Sequence, residues 1–297
     1  MDIELLRTFL EVKNTRHFGQ AAENLYLTQA AVSARVKQLE KVLGTALFTR
    51  YRNNLQLTSA GKRLIQHAET ILIAWERTRT DVALKKDLKI TLSLGGTSGL
   101  WDLVLQDGLN LIHKAMPDIA WRAESHGQDV LIRRLMERTL DLAFIYEPAK
   151  ITDLQSIQIT QAELVLVSTV KDLKLNDALR HDYVLVDWGT SFDINHAHFF
   201  QDTLPPVLHT TLARIALEFI LFHGGSAYLP LRLVQPYFEK ELFQVKDSPV
   251  FNRPIYACYH SENRCSDLIE QVLSILEFEP KKEEVPPVTK SNNTKMI

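Results

Sequence analysis

The sequence predicts an α+β multidomain chain: a winged helix-turn-helix, a long linker helix, and an α/β domain of two lobes. Three observations carry this. One is a helix after Thr28 with two stripes of unlike character. Another is a heptad of apolar and small residues from Leu64 to Val82. The third is the change, from Leu88 onward, to short apolar runs alternating with amphipathic segments, the pattern of a sheet with helices on its faces.

At 297 residues, 45% hydrophobic and 24% charged, the chain has room for two domains and the composition of an ordinary core. Met1-Asp2-Ile3-Glu4 lacks the basic start and apolar run of a signal peptide. No apolar stretch approaches the ~20 residues of a membrane span, so a cytoplasmic protein is expected, with no membrane partner. Cys258 and Cys265 are the only cysteines and form no CxxC, which favours reduced thiols over a disulfide or zinc site. The net charge of −2 conceals an asymmetry. Residues 1–87 hold 14 Lys/Arg against 9 Asp/Glu, and the remainder 20 against 27. A basic front and an acidic back place any nucleic acid at the front.

Leu5, Leu6, Phe9, Leu10 and Val12 make the apolar face of a first helix ending near Asn14. His17-Phe18-Gly19 turns the chain. Phe18, Ala21, Ala22 and Leu25 then mark a short second helix whose alanines permit a close crossing. After the tight connection Leu25-Tyr26-Leu27, Thr28 caps the third helix. Val32, Val36, Leu39 and Leu43 form its apolar stripe. Ala30, Ser33, Ala34 and Lys37 form a second stripe, small and polar with one cation, where a solvent-facing helix usually carries longer charged residues. Small side chains let a helix backbone approach another surface, and the B-DNA major groove admits a helix. The expected reading face is Thr28, Gln29, Ala30, Ser33, Ala34 and Lys37. A plain three-helix bundle is the competing interpretation.

Gly44 is the expected C-cap. Residues 46–58 then read as two strands about a turn at Asn53-Asn54, with Arg50 and Arg52 near the tip. Such a wing brings arginines to phosphates or the minor groove. Thr58 caps a helix to about Lys86, and Leu64, Ala68, Ile71, Trp75, Thr78 and Val82 are spaced 4, 3, 4, 3, 4. That seam, with Leu72 beside it, predicts helix pairing and hence a dimer. Domain limits follow: 1–58 for DNA, 59–87 for the linker and dimerisation, 88–280 for a regulatory domain, and a disordered tail over 281–297. The two lobes are expected at roughly 88–163 with 254–280, and at 164–253.

Ala21-Ala22, Leu25, Thr28-Gln29, Ala31-Val32-Ser33, Leu39-Glu40, Leu43-Gly44, Leu47-Phe48, Arg50 and Leu57-Thr58-x-Ala60-Gly61 resemble the amino-terminal signature of LysR-type transcriptional regulators. The resemblance covers about residues 1–65. Arg16-His17-Phe18-Gly19, Leu25-Tyr26-Leu27-Thr28-Gln29 and Phe48-Thr49-Arg50-Tyr51-Arg52-Asn53-Asn54 are similar, more narrowly, to the flagellar-operon repressor subgroup under H-NS control. It implies a periplasmic-binding-protein-like effector domain and effector domains that pair side by side, joining two dimers into a tetramer. The implied partners are double-stranded DNA, further copies of the chain, a small-molecule effector and RNA polymerase.

From Leu88 the strands read as 89–94, 119–123, 141–145, 164–168, 183–186, 207–209, 227–229 and 254–259, with helices between most of them. Ligands of open α/β sheets sit beyond the carboxyl ends of strands, often against helix N-termini. Those positions hold Thr97, Ser98 and Trp101; Ser125, His126 and Gln128; and Trp188, Thr190 and Ser191. Hydroxyls, an amide and two indoles suit a small polar or anionic metabolite, although each residue also reads as an ordinary cap. No Lys or Arg lies in these loops, which disfavours a strongly anionic effector. Gly95-Gly96-Thr97-Ser98-Gly99 lacks the GK[ST] of a P-loop and the spacing of a nucleophile elbow. His196-x-His198 reads as surface histidine, because residues i and i+2 of a helix point apart and no carboxylate or thiolate completes a metal shell. No enzyme, metal or cofactor is expected. Two other interpretations stay open: a nucleoid-associated DNA-binding protein of low sequence specificity, and a cytoplasmic α/β small-molecule-binding protein.

Overall fold

The computed structural model describes residues 2–51, 54–83, 88–180, 182–200 and 205–276. It divides into two compact units. The first comprises Met1–Ser93, Pro117–Arg122 and Arg133–Leu140, and the second Leu94–Met116, Ala123–Ile132 and what is described from Asp141 onward.

The first unit begins with α1 (Ile3–Thr15), α2 (Phe18–Asn24) and α3 (Gln29–Leu43). Apolar positions at i, i+3, i+4 and i+7 place Leu5, Phe9 and Val12 of α1 against Val32, Val36 and Leu39 of α3, all 3% exposed or less. Each helix starts on a side-chain cap. Asp2 accepts from the Glu4 N–H, His17 Nδ1 from the Gln20 N–H, and Thr28 Oγ1 from the Ala31 N–H. α1 runs one residue past its expected end, and α2 has already begun at Phe18, so the turn centres on Arg16 and His17. Arg16 takes a left-handed conformation (φ 52°) there. Gly44 ends α3 at φ 68°, which glycine adopts without steric cost.

The wing strands β1 (Phe48–Tyr51) and β2 (Asn54–Leu57) pair antiparallel from Phe48↔Leu57 to Tyr51↔Asn54. Asn54 of the expected turn therefore belongs to β2, and Asn53 lies outside the described residues. Phe48 joins the two small cores, with its ring 5.4 Å from Phe9 and 6.3 Å from Phe18. α4 (Ser59–Val82) follows at once, capped by Thr58. The expected continuation to Lys86 lies outside the described residues, as does the tail 281–297.

The remaining strands, β3 (Ile90–Gly96), β4 (Ile119–Ser125), β5 (Leu142–Ile145), β6 (Leu154–Ser168), β7 (Tyr183–Val186), β8 (Leu208–Thr210), β9 (Ser226–Pro230), β10 (Phe243–Gln244) and β11 (Phe251–His260), form one mixed sheet. Among the described residues its order is β4-β3-β5-β11-β6-β9-β7-β8, with β10 beside β6. β3–β5, β9–β7 and β7–β8 are parallel, so their connections are crossovers and not hairpins. β6 changes neighbour at Leu164, from β11 to β9. The helices are α5 (Ser98–Leu100), continuing through a π turn (Trp101–Leu105) into α6 (Gln106–Ala115), then α7 (Gln128–Met136), α8 (Leu175–Ala178), α9 (Thr190–Phe199), α10 (Ala213–His223), α11 (Leu231–Val234) and α12 (Ser266–Leu276).

His196 corrects the sequence reading. It is 9% exposed, with Nε2 3.0 Å from the Tyr183 hydroxyl and rings of Phe192, Phe200 and Tyr228 around it. Phe192 and His196 are one helical turn apart, so both face the core, whereas His198 faces solvent. Burial lowers the His196 pKa, so the ring is neutral at pH 7.

Candidate nucleic-acid interface

Thr28, Gln29, Ala30, Ala34 and Lys37 are exposed and Ser33 is half-buried, on the side of α3 away from buried Val32, Val36 and Leu39. Thr28 has its oxygen engaged as the cap and keeps a hydroxyl proton to donate. Arg35 turns the other way: its guanidinium lies 3.4 Å from Thr8 Oγ1 and 3.7 Å from Glu4. One exposed residue escaped the sequence reading. Tyr26 is 96% exposed at φ 55°, in the connection between α2 and α3. Leu25 and Leu27 both pack inward, so the middle residue of that triplet has to project outward. The alternation was readable.

The wing is tied to α3 by Glu40, whose Oε1 accepts from the N–H groups of Leu47 (2.8 Å) and Phe48 (3.3 Å). Thr58 closes the other side. Its N–H donates to the Leu47 carbonyl, its hydroxyl to the Ala46 carbonyl, and its oxygen accepts from the Gly61 N–H. Arg50 lies on β1 opposite Leu55. The Arg50 side chain, and Arg52 altogether, fall outside the described residues.

The linker seam needs correction. Ala68 is fully buried with Leu5, Leu6 and Phe9, and Leu64 and Leu72 pack on the same cluster. Lys13–Glu69 and Arg7–Glu76 ion pairs flank it. These three seam residues are thus consumed within the chain, because α1 lies along the first half of α4. Ile71 (39%), Trp75 (46%) and Val82 (83%) stay exposed, with Thr78 between them.

The cleft residues all lie in the second unit. His126 N–H donates to the Gly96 carbonyl, joining the first two loops. Ser98 and Thr190 are exposed, and Gln128 is half-buried at the start of α7. Both indoles, proposed as donors to a ligand, are already used: Trp101 Nε1 donates to the Glu124 carbonyl (2.8 Å) and Trp188 Nε1 to the Tyr228 carbonyl (3.1 Å). Trp188 is 4% exposed, a core residue. Two residues the sequence reading missed stand between the first and third loops. The Tyr146 ring lies 6.4 Å from that of Trp188, and its hydroxyl is 3.8 Å from where a Cβ on Gly99 would be. Arg253, from β11, lies 5.1 Å over Tyr146, pairs with Glu147 at 3.1 Å, and would sit 2.6 Å from a Cβ on Gly189. A cation already paired with Glu147 therefore stands beside the first and third loops, although the loops themselves carry none. Burial pushes the Tyr146 phenol above its usual range. Thr97 Oγ1, the Tyr146 hydroxyl and Arg253 Nε are shielded from solvent with no hydrogen-bond partner among the described residues.

A winged helix-turn-helix with an exposed small-residue stripe, followed in the chain by a long helix and a mixed α/β sheet with polar residues at its strand ends, is the plan of a DNA-binding regulator carrying a ligand-binding domain. Residues 3–62 match the bacterial regulatory helix-turn-helix protein, lysR family, and residues 86–278 the LysR substrate binding domain. The chain belongs to the LysR family of transcriptional regulators. It is 38% identical over 283 residues to the HTH-type transcriptional regulator HdfR of Yersinia enterocolitica, covering 92% of this chain and 95% of that protein. HdfR of Yersinia pestis is 37% identical over 286 residues, with the same coverage. Among solved structures, CbnR, a LysR family transcriptional regulator, aligns with TM-score 0.72 at 18% identity over 93% of this chain and 99% of that one. Vibrio fischeri DarR in complex with DNA aligns with TM-score 0.58 at 20% identity over 94% and 99%. At such identities the structures speak for the fold alone.

Proposed function

We propose that this chain is a cytoplasmic, sequence-specific regulator that reads its operator with residues 1–58, assembles through 59–87, and responds to a small polar molecule through 88–280. The exposed stripe of α3 carries this reading, since only the length of Gln29 and the charge of Lys37 interrupt a face otherwise free of bulk. Thr28, Gln29, Ala30, Ser33, Ala34 and Lys37 meet the major groove, and Tyr26 meets the adjoining backbone. Arg50 and Arg52 meet phosphates. Flagellar genes are the proposed targets, on the resemblance to the flagellar-operon repressors and the two HdfR relatives. RNA polymerase is the proposed protein partner, and no enzymatic activity is assigned. No described helix is long and apolar enough to cross a membrane.

In the cleft, Thr97, Ser98, Tyr146, Thr190 and Arg253 hold the effector, with His126 and Gln128 at its edge. Trp101 and Trp188 shape the walls.

Gln29→Ala tests the reading face. A good bidentate base contact discriminates by about 1–3 kcal/mol, so the variant loses roughly five- to a hundredfold of specific over scrambled affinity on duplexes selected from the genome by the wild-type protein. An unchanged ratio removes Gln29 from base readout. Equal wild-type affinity for selected and random duplexes would instead favour a nucleoid-associated role. Arg50→Ala and Arg52→Ala weaken all duplexes alike. Each lost phosphate contact flattens the slope of log K against log salt by about 0.9. A salt titration that returns the wild-type slope excludes the wing from the backbone contact.

A further inference from the structure

A groove of about 480 Å³ opens beside the wing, between the end of α1, β2 and the start of α4, and every residue lining it belongs to the first compact unit. Phe48, Leu55 and Leu57 of the wing supply apolar lining. Lys13, Arg16 and Lys62 line it with the Gln56 amide, and among the described residues no carboxylate does. Lys13 is held by Glu69 at 3.9 Å. Arg16 and Lys62 are exposed, and their side chains make no ion pair or hydrogen bond among the described residues.

The groove is continuous with the reading end of α3. Arg16 comes just before α2, and a Cβ on Gly19, in the first turn of α2, would lie 4.0 Å from Gln29 Oε1. The Phe18 ring, 6.3 Å from that of Phe48, holds the same turn against the wing. The Arg16 backbone is unusual as well. Its φ of 52° is left-handed, a conformation that glycine holds without steric cost and arginine does not. A strained arginine on an exposed turn is the kind of outlier that marks function. We propose that the groove is a further DNA-backbone site: a phosphate flanking the half-site lies between Arg16 and Lys62, its oxygens accepting from the guanidinium and the ammonium. A guanidinium meets two phosphate oxygens at once, and an ammonium adds a point charge. The inference rests on α3 being the reading helix. Neither contact carries sequence information, so both strengthen specific and scrambled duplexes alike. Lys62 belongs to α4, so bound DNA touches the helix expected to pair with a second copy.

The test uses the full-length protein on duplexes selected from the genome by the wild type, with flanking phosphates replaced one at a time by uncharged methylphosphonates. At about 0.15 M salt the wild type is expected to lose roughly fivefold at one such phosphate per half-site, the effect of one released counterion. The double variant Arg16→Ala/Lys62→Ala loses about as much on the unmodified duplex and flattens the slope of log K against log salt by about 0.9 per half-site. It no longer responds to the methylphosphonate at that phosphate. Arg16→Gly relieves the left-handed strain, so it melts at or above the wild-type temperature and still binds more weakly, opposite shifts that a merely structural arginine does not give. Gln29→Ala changes the ratio of specific to scrambled affinity and the double variant does not, so the two readings fail separately. Three results overturn the proposal: a double variant with wild-type affinity and slope, a weakened double variant that responds to the same methylphosphonates as the wild type, or Arg16→Gly binding as the wild type does.

Discussion

Ile71→Glu separates the assembled protein into monomers and removes operator binding, while the α/β domain keeps its wild-type melting transition. Of the seam expected from the heptad, Leu64, Ala68 and Leu72 are engaged with α1, which leaves Ile71, Trp75 and Val82 as the face available to a second copy. An indole 46% exposed still has on the order of 100 Å² to bury, or ~2–3 kcal/mol per protomer. Two glutamates opposed across that seam replace this gain with the several kcal/mol that burying unpaired charge costs. A helix-turn-helix reads one half-site, and a dimer gains specificity by reading two one helical turn apart. Losing the partner therefore reduces affinity by orders of magnitude. Ile71 is 39% exposed within one chain, so the monomer tolerates the glutamate. Ala68→Glu, by contrast, charges a fully buried position and unfolds the first unit. Sedimentation at micromolar concentration decides: an Ile71→Glu dimer that still binds selected duplexes rules out this face.

What could be read from the sequence follows from the range of the forces involved. Helix caps are local, so Thr28, Gly44 and Thr58 declared themselves. Periodicity is local too, and it separated the two stripes of α3. It could not say which partner a stripe meets. The α4 heptad looks like one seam because Ala68 and Ile71 both suit a helix interface, and only the position of α1 covers Ala68 while leaving Ile71 exposed. The first ten residues of β6 passed unread because their burial alternates weakly, with polar Gln155, Ser156, Gln158 and Gln161 among them. Arg253 lies outside the three loops altogether. It stands in a strand about 60 residues from the Trp188-Gly189-Thr190 loop it adjoins, and a charge brought in by long-range pairing leaves no local signal. Conversely, the N–H groups of both tryptophan candidates are already given to carbonyls, the usual fate of a buried indole, and Trp188 is a core residue.

Gly61→Ala destabilises the first unit and weakens DNA binding well below the temperature at which it melts. Helix propensity alone argues the reverse, since alanine in place of a helical glycine gains up to about 1 kcal/mol. Packing overrides it. A Cβ at position 61 would come closer to the Leu47 carbonyl oxygen than the 3.0 Å that real Cβ atoms essentially never pass, and would stand 2.9 Å from Leu57 Cδ2. The Leu47 carbonyl has no freedom to retreat. It accepts from the Thr58 N–H at 2.9 Å, while the Leu47 N–H is held by Glu40 at 2.8 Å. Overpacking against side chains costs about 1–3 kcal/mol, and a fixed backbone atom places this site at the upper end. A net loss of roughly 2 kcal/mol remains after the propensity gain, or about 8–16 °C for a unit of this size. The strain is relieved by moving β1 away from α4, and β1 carries the wing, so operator affinity falls before the fold does. Calorimetry and duplex titration of Gly61→Ala check both parts. A melting temperature and operator affinity equal to wild type would show that α4 and β1 do not pack as closely as Thr58-x-Ala60-Gly61 implies.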